Sequence, residues 1–253
     1  GKTSTSFTGV KYREVQQTET LDVAAGGLWA NDGFTISGVP SMVAEGTKIV
    51  EALIESGLTP SILYAIQQSD LHQVTLVGQK DMERMTLLKN ASPMLGLFTI
   101  PSERTLPKKG RVLVLDAIAD PGNLGTIIRL SDWFGIEHIL CSEDTVDCYN
   151  PKVVQATMGS ISRVNVSYVN LTSYLQNSSL PIFGTFMDGS NVYKENLPKE
   201  AIVIMGNEAN GISQEIENSI KNRLTIPRFG DLQLTESLNV ATATAIILSE
   251  FRR

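Results

Sequence analysis

The chain has 253 residues, 42% of them apolar and 19% charged, enough for a sizeable core in one large domain or in one domain with a smaller companion. The apolar fraction excludes intrinsic disorder, and 20 glycines and 2 cysteines exclude collagen-like and disulfide-framework classes. A net charge of −6 excludes a protein that coats nucleic acid non-specifically, because phosphate neutralisation needs excess Lys and Arg, but leaves local recognition open.

Residues 14–40 are rich in Gly, Thr and Asn without a sustained period, which predicts loops and short strands. MVAEGTKIVEALIESG then predicts an amphipathic helix from about Glu45, stopped by Gly57. SILYAI and QVTLVG predict short strands, KDMERMTLLKN a helix and MLGLFTI a strand. PSERTLPKKG, at 101–110, has the prolines, glycine and charges of a linker. Its basic cluster of Arg104, Lys108, Lys109 and Arg111 reads as a solvated linker, with an RNA-facing hinge as the alternative.

Beyond the linker, RVLVLDAI is a continuous β-branched run, as in a strand buried on both faces. DPGN predicts a turn and LGTIIRLSDWF a helix closed by Gly135. IEHILCS predicts a strand, NPKVVQATMGS a helix opened by Asn150 and Pro151, and RVNVSYV a strand. NLTSYLQNS predicts a helix, PIFGTFM and AIVIMG strands, and SQEIENSIKN a helix. LTIPRF predicts a last short strand, and SLNVATATAIILSEF a last helix with Ser237 placed to cap it. Such alternation predicts a parallel sheet with helices on both faces.

No apolar run approaches the roughly 18 residues of a membrane span, and GKTSTSFTGVKYREV lacks the apolar stretch of a signal peptide. Cys141 and Cys148 are wrongly spaced for a CxxC site, and His72 and His138 are too few for a His-rich metal centre. The expectation is a soluble, cytoplasmic protein without a metal.

Ligands of open α/β sheets bind outside the carboxyl ends of the strands. Three strand ends are loaded with Gly, Asn and polar residues: 116–135, 202–213 and 225–250. Each has an ordinary reading by itself. DPGN is a good turn, Arg129 a default surface ion-pair partner, and Glu208 a carboxylate suited to a helix N-terminus. Ser237 and Asn239 could be plain caps. No GxGxxG or GxxxxGK[ST] follows a strand, so dinucleotide binding and P-loop hydrolysis lose their usual warrant.

Taken together, Asn123 with Arg129, the string GNEANGIS at 206–213, and IP followed by ESLNVA at 226–241 resemble, in order and spacing, the three motifs of the SpoU/TrmH family of RNA 2′-O-ribose methyltransferases. The resemblance covers about residues 111–253, and more weakly 43–65, which looks like the family's small N-terminal RNA-binding domain. It implies a parallel-sheet α/β catalytic domain with a C-terminal deep trefoil knot, which the rarity of knots would have argued against. The implied division is an N-terminal α/β RNA-binding domain over 1–103, a linker over 104–110 and the knotted domain over 111–253. It also implies S-adenosyl-L-methionine as cofactor, ribosomal or transfer RNA as substrate, and a homodimer. The last helix, apolar around most of its circumference through Val240, Ala241, Ala243, Ala245, Ile246, Ile247 and Leu248, suits a packed interface.

The resemblance assigns cofactor contacts to the backbone at Gly206, Ile226 and Leu238, with Gly184 and Thr185 lining the pocket. Arg129 corresponds to the family's catalytic arginine. A guanidinium gives up its proton reluctantly, so anchoring a phosphate and stabilising a developing alkoxide is the alternative to acting as base. Asn123 is expected to orient Arg129 or the ribose, Glu208 to hold the arrangement, and Ser237 and Asn239 to lie beside the ribose. Two stretches depart from the family pattern: residues 13–41 replace a short lead, and RFGDLQLT is longer than the usual glycine turn. The rival reading is an RNA-binding module with an inactive knotted domain.

Overall fold

A computed structural model describes residues 3–5, 11–15, 33–36, 39–71, 73–86, 88–102, 105–230 and 237–253. His72, Arg104 and the stretch 231–236 lie outside the described residues. The chain forms two compact units, one comprising 1–102 with 147–162, the other 103–146 with 163–253. Residues 147–162, which the resemblance puts in the C-terminal domain, thus group by packing with the first unit.

The first unit carries a seven-stranded mixed sheet in the order β1-β2-β3-β4-β7-β5-β6. Its strands are β1 (Thr3–Thr5), β2 (Lys11–Val15), β3 (Gly33–Ile36), β4 (Val39–Glu45), β5 (Pro60–Ala65), β6 (Thr75–Leu76) and β7 (Met94–Thr99). Helix α1 (Thr47–Glu55) buries Ile49, Val50 and Leu53, and α2 (Gln79–Met85) contributes Met82 and Met85 to a core shared with Val43, Tyr64, Leu95 and Leu97. Strand β4 runs straight into α1, so the helix expected from about Glu45 begins at Thr47, and Met42 to Glu45 ahead of it are strand. The turn between them needs Gly46, whose φ of 104° disfavours any side chain. The Glu45 carboxylate, 4% exposed, accepts a 2.5 Å hydrogen bond from the Thr86 hydroxyl. Also in this unit, α4 (Pro151–Thr157) is capped by Asn150, whose Oδ1 accepts from the Lys152 amide.

The second unit is built on a six-stranded sheet in the order β10-β9-β8-β12-β11-β13, with every pairing parallel. The strands are β8 (Arg111–Leu115), β9 (His138–Cys141), β10 (Asn165–Tyr168), β11 (Ile182–Asn191), β12 (Ala201–Met205) and β13 (Asn222–Thr225). All five residues of β12 are buried, as expected of a central strand covered on both faces. Cys141, ending β9, and Cys148, in the first unit, form no disulfide and have no exposure, and burial pushes the Cys141 thiol up. Leu171 and Leu175 of α5 (Leu171–Gln176) and Ile216 of α6 (Gln214–Glu217) join Val112, Val114, Ile202 and Ile204 in the core.

Helix α3 (Pro121–Trp133) begins earlier than predicted. DPGN does not turn the chain ahead of the helix; it is the first turn. Asp120 caps it by accepting from the Asn123 amide at 2.8 Å, and Pro121 occupies the first position, where its missing N–H costs nothing. At the other end Gly135 takes φ 62°, and Arg252 donates to the carbonyls of Phe134 and Gly135 at 2.5 and 2.7 Å. Arg252 ends helix α7 (Val240–Arg252), so the two helices are tied at that end.

Among the described residues no helix is long and apolar enough to cross a membrane, and no group of His, Cys, Asp and Glu is placed to hold a metal ion.

Candidate active site

The polar loops collect at the carboxyl ends of β8, β11, β12 and β13, where a cavity of about 780 Å³ opens, within the usual range for small-molecule sites of roughly 300–1,000 Å³. Buried Leu224, Val240 and Ile247 form apolar wall, and the chain at Thr185, Gly206, Ile226 and Leu238 lines it. Gly184 is not in the lining. It packs behind the wall, where an added Cβ would fall 2.6 Å from Ile220 and 2.7 Å from Phe186.

The loop after β12 has a tight geometry. Asn207 and Gly211 exchange two backbone hydrogen bonds of 2.9 and 2.8 Å. The Asn207 Oδ1 accepts from the amides of Ala209 and Asn210, and its Nδ2 donates to the Ala117 carbonyl at 2.6 Å. Gly206 has no room for a side chain: a Cβ would lie 2.3 Å from the Gly211 carbonyl carbon and 2.4 Å from the Ile212 nitrogen. Asp116, 5% exposed at the end of β8, accepts from the Ser213 amide at 2.7 Å and fixes the loop's far end. Asn207 and Asp116 were not singled out from the sequence. The only signals were an Asn opening the NEANG turn and an acid ending a buried strand, both common in turns.

The three motifs meet through side chains. Asn123 Nδ2 donates to Glu208 Oε1, and Asn239 Nδ2 donates to Asn123 Oδ1 at 2.9 Å. Asn239 Oδ1 accepts from the amides of Ala241 and Thr242 at 3.0 and 3.1 Å. Asn239, not Ser237, is therefore the cap of α7. Its carbonyl oxygen sits one residue before the helix, whereas Ser237 lies two residues further back, too far for the orphan amides, and lines the cavity. Glu208 lines the cavity as well, so the chain Glu208–Asn123–Asn239 runs from its edge to α7.

Arg129 stands on the exposed stripe of α3 with Gly122, Thr126 and Trp133. Among the described residues it forms no ion pair or hydrogen bond, contrary to the default for a surface arginine. Trp133 is 84% exposed. The apolar circumference of α7 is used largely within the chain, since Val240, Ala241, Thr244, Ile247, Leu248 and Phe251 are all buried.

A second cluster stiffens the cavity wall. Arg223 bonds Glu217 at 2.5 Å and Asp188 at 2.6 Å, and its guanidinium carbon lies 3.5 Å from the centre of the Phe186 ring. The hydrogen bond from Arg223 holds the Asp188 carboxyl below its usual range, and the bonds to Asp188 and Glu217 hold the guanidinium above its own.

Fold and site together define a parallel α/β domain with a small-molecule pocket at its strand ends, ringed by polar groups from three connections. Residues 110–249 match the model of the SpoU rRNA methylase family. The chain is 30% identical over 223 residues to the 23S rRNA (guanosine(2553)-2'-O)-methyltransferase RlmP of Bacillus subtilis, covering 84% of this chain and 88% of that protein. A TrmH-family structure from Porphyromonas gingivalis superposes with a TM-score of 0.75 at 36% identity, over 84% of this chain and 89% of that one. An AdoMet-bound rRNA methyltransferase from Sinorhizobium meliloti gives 0.73 at 28% identity, over 84% and 87%. The chain belongs to the SpoU rRNA methylase family.

Proposed function

We propose that this protein transfers a methyl group from S-adenosylmethionine to a ribose 2′-hydroxyl in ribosomal or transfer RNA. The observation that carries the reading is the hydrogen-bonded chain Glu208–Asn123–Asn239, which draws the three family motifs together at the edge of the cavity. The pocket suits the cofactor. The collapsed loop at Gly206 puts backbone rather than side chain at the wall, and Leu224, Val240 and Ile247 supply apolar surface for an adenine.

When bound, the cofactor supplies an electrophilic methyl on a sulfonium. Gly206, Ile226 and Leu238 hold it through main-chain groups, with Thr185 on the wall; Gly184 serves by letting Phe186 and Ile220 close behind it. Glu208 and Asn239 fix the Asn123 amide, since each of its two polar ends is already bonded. Arg129, on the same helix and without an ion pair or hydrogen bond among the described residues, is left to meet the RNA. It anchors a phosphate and stabilises negative charge developing on the ribose oxygen, whose proton passes to solvent water. Ser237 lies on the cavity rim, beside the ribose. Aligning hydroxyl and methyl in this way is itself worth several kcal/mol, on the order of 7 or more in favourable cases.

The reading extends to the rest of the molecule. The first unit grips a folded RNA element, the C-terminal segment is threaded as the family's trefoil knot, and the protein works in the cytoplasm as a homodimer. The bare Trp133, at the last turn of α3 and one turn past Arg129, supports association of two copies around that end of the helix, which leaves Arg129 open to the RNA. Light scattering with Trp133→Glu tests it: wild type dimeric and variant monomeric is expected, and a monomeric wild type removes the dimer.

The activity is tested by transfer of labelled methyl to unmodified ribosomal and transfer RNA. Label in a nuclease-resistant dinucleotide, lost in Arg129→Ala with cofactor affinity intact, is expected. Wild type that binds cofactor and labels neither RNA defeats the reading.

A further inference from the structure

Three large apolar side chains on the rim of the cavity are exposed: Met187, Leu238 and Phe229. Phe229 is the most exposed of them, at 81%. It lies in the stretch after Pro227 that is longer than the family's usual turn. Its ring is nonetheless supported, because Tyr193 stacks beneath it with ring centres 6.4 Å apart and planes 29° apart. Tyr193 is itself held at both main-chain ends. Its amide donates to Asn191 Oδ1 at 3.0 Å, and its carbonyl accepts from Arg253, just past the end of α7, at 3.0 Å.

Phe229 is 81% exposed, so the contact with Tyr193 orients the ring without burying it. A ring so oriented loses little entropy when a second flat ring covers it, and it contributes little to the protein's own packing. Resting on the proposed RNA substrate, we propose that Phe229 is a stacking platform for an unpaired nucleobase of the RNA, next to the nucleotide that is methylated. The cofactor's adenine is the less suitable occupant. Buried Leu224, Val240 and Ile247 already offer it a recessed apolar seat, whereas Phe229 projects at the mouth. Arg228, exposed on the same rim, adds positive charge where a backbone would pass.

The test compares wild type with Phe229→Ala, Phe229→Leu and Phe229→Trp in methyl transfer to in vitro transcribed ribosomal and transfer RNA, with cofactor affinity measured by calorimetry. Base stacking on an aromatic side chain predicts that Ala and Leu raise KM for RNA by about ten-fold or more, that Trp does not, and that cofactor Kd stays put. A Leu variant equal to wild type reduces the ring to generic apolar cover and overturns the proposal. A parallel loss of cofactor affinity reassigns the ring to adenine and also overturns it. Because absent turnover would indict the methyltransferase reading instead, stacking is read independently. A single-stranded oligoribonucleotide carrying 2-aminopurine is quenched by wild type and by Phe229→Trp, and far less by Phe229→Ala; equal quenching by all three sinks the platform whatever the activity.

Discussion

Replacing Gly206 by alanine separates two ways in which a glycine becomes indispensable. A Cβ at 206 falls 2.3 Å from the Gly211 carbonyl carbon, 2.4 Å from the Ile212 nitrogen and 2.6 Å from the Gly211 oxygen. All three are backbone atoms, so no rotamer change relieves the overlap. The easiest relief swings residues 211–212 outward, which breaks the two hydrogen bonds between Asn207 and Gly211. Those bonds contribute about 0.5–1.5 kcal/mol each, and residual overpacking adds about 1–3 kcal/mol. The expected loss is about 2–6 kcal/mol, or a fall in Tm on the order of 4–24 °C for a domain of this size. Gly211 gives the contrast. Nothing lies within 4 Å of its would-be Cβ, but its φ is +69°, so Gly211→Ala costs only the left-handed strain of about 1–2 kcal/mol. Gly211→Asn, which tolerates that region, costs less. Calorimetric melting should therefore rank Gly206→Ala below Gly211→Ala below Gly211→Asn. Because the displaced loop lines the cavity, cofactor Kd should rise most in Gly206→Ala. Equal melting of Gly206→Ala and Gly211→Asn, or wild-type cofactor affinity in Gly206→Ala, refutes the steric reasoning.

Asn239→Asp keeps the acceptor for the Ala241 and Thr242 amides and loses the donor to Asn123. Its Tm should stay near wild type while methyl transfer collapses, whereas Asn239→Ala loses both and about 1 kcal/mol of stability besides; an active Asp variant breaks the link between Asn239 and the site. Asp116→Ala removes the acceptor of the Ser213 amide, at a cost of about 0.5–1.5 kcal/mol, since Ser213 is exposed and water can reach its amide. Asp116→Asn restores an acceptor, and denaturant titration of both variants should show that recovery. Arg223→Met keeps an apolar stem over Phe186 and removes the ion pairs. The Asp188 carboxyl titrates below its ordinary value of 3.8 in the folded protein, so its contribution is present above that pH and fades as pH falls through the depressed value. The small Tm gap between wild type and Arg223→Met should be flat from neutral pH down to about 4, then close; a gap that widens in acid contradicts the pairing.

How far the sequence speaks depends on whether a signal is local. The runs VLVL and AIVIM are apolar over every residue, and they form neighbouring central strands. VPSMVAE carries no turn signal ahead of α1 except Gly46, and its short apolar run Met42–Ala44 looks the same leading into a helix as ending a strand. SQEIENSIKN was read as one long helix, yet only Gln214–Glu217 is helical. The chain has to return as β13, where Asn222 donates to the Ile182 carbonyl at 2.9 Å, and tertiary pairing overrides a weak polar propensity. At the site, Asn123, Glu208 and Asn239 came from the motif pattern, while their mutual bonding spans 85 and 116 residues and has no local trace. Asn207 and Asp116 act on main-chain groups, whose partners exist only once the loop has closed.

The two cysteines give the protein a pair of internal clocks. Each compact unit holds one, Cys148 in the first and Cys141 in the second, and neither thiol has any surface exposure. A sealed thiol cannot be alkylated until its surroundings open. Maleimide capture timed by mass spectrometry thus records, residue by residue, when each unit first lets solvent in. Cofactor that shuts the strand-end cavity should slow the Cys141 clock, and the Cys148 clock shows whether the other unit shares in that closing.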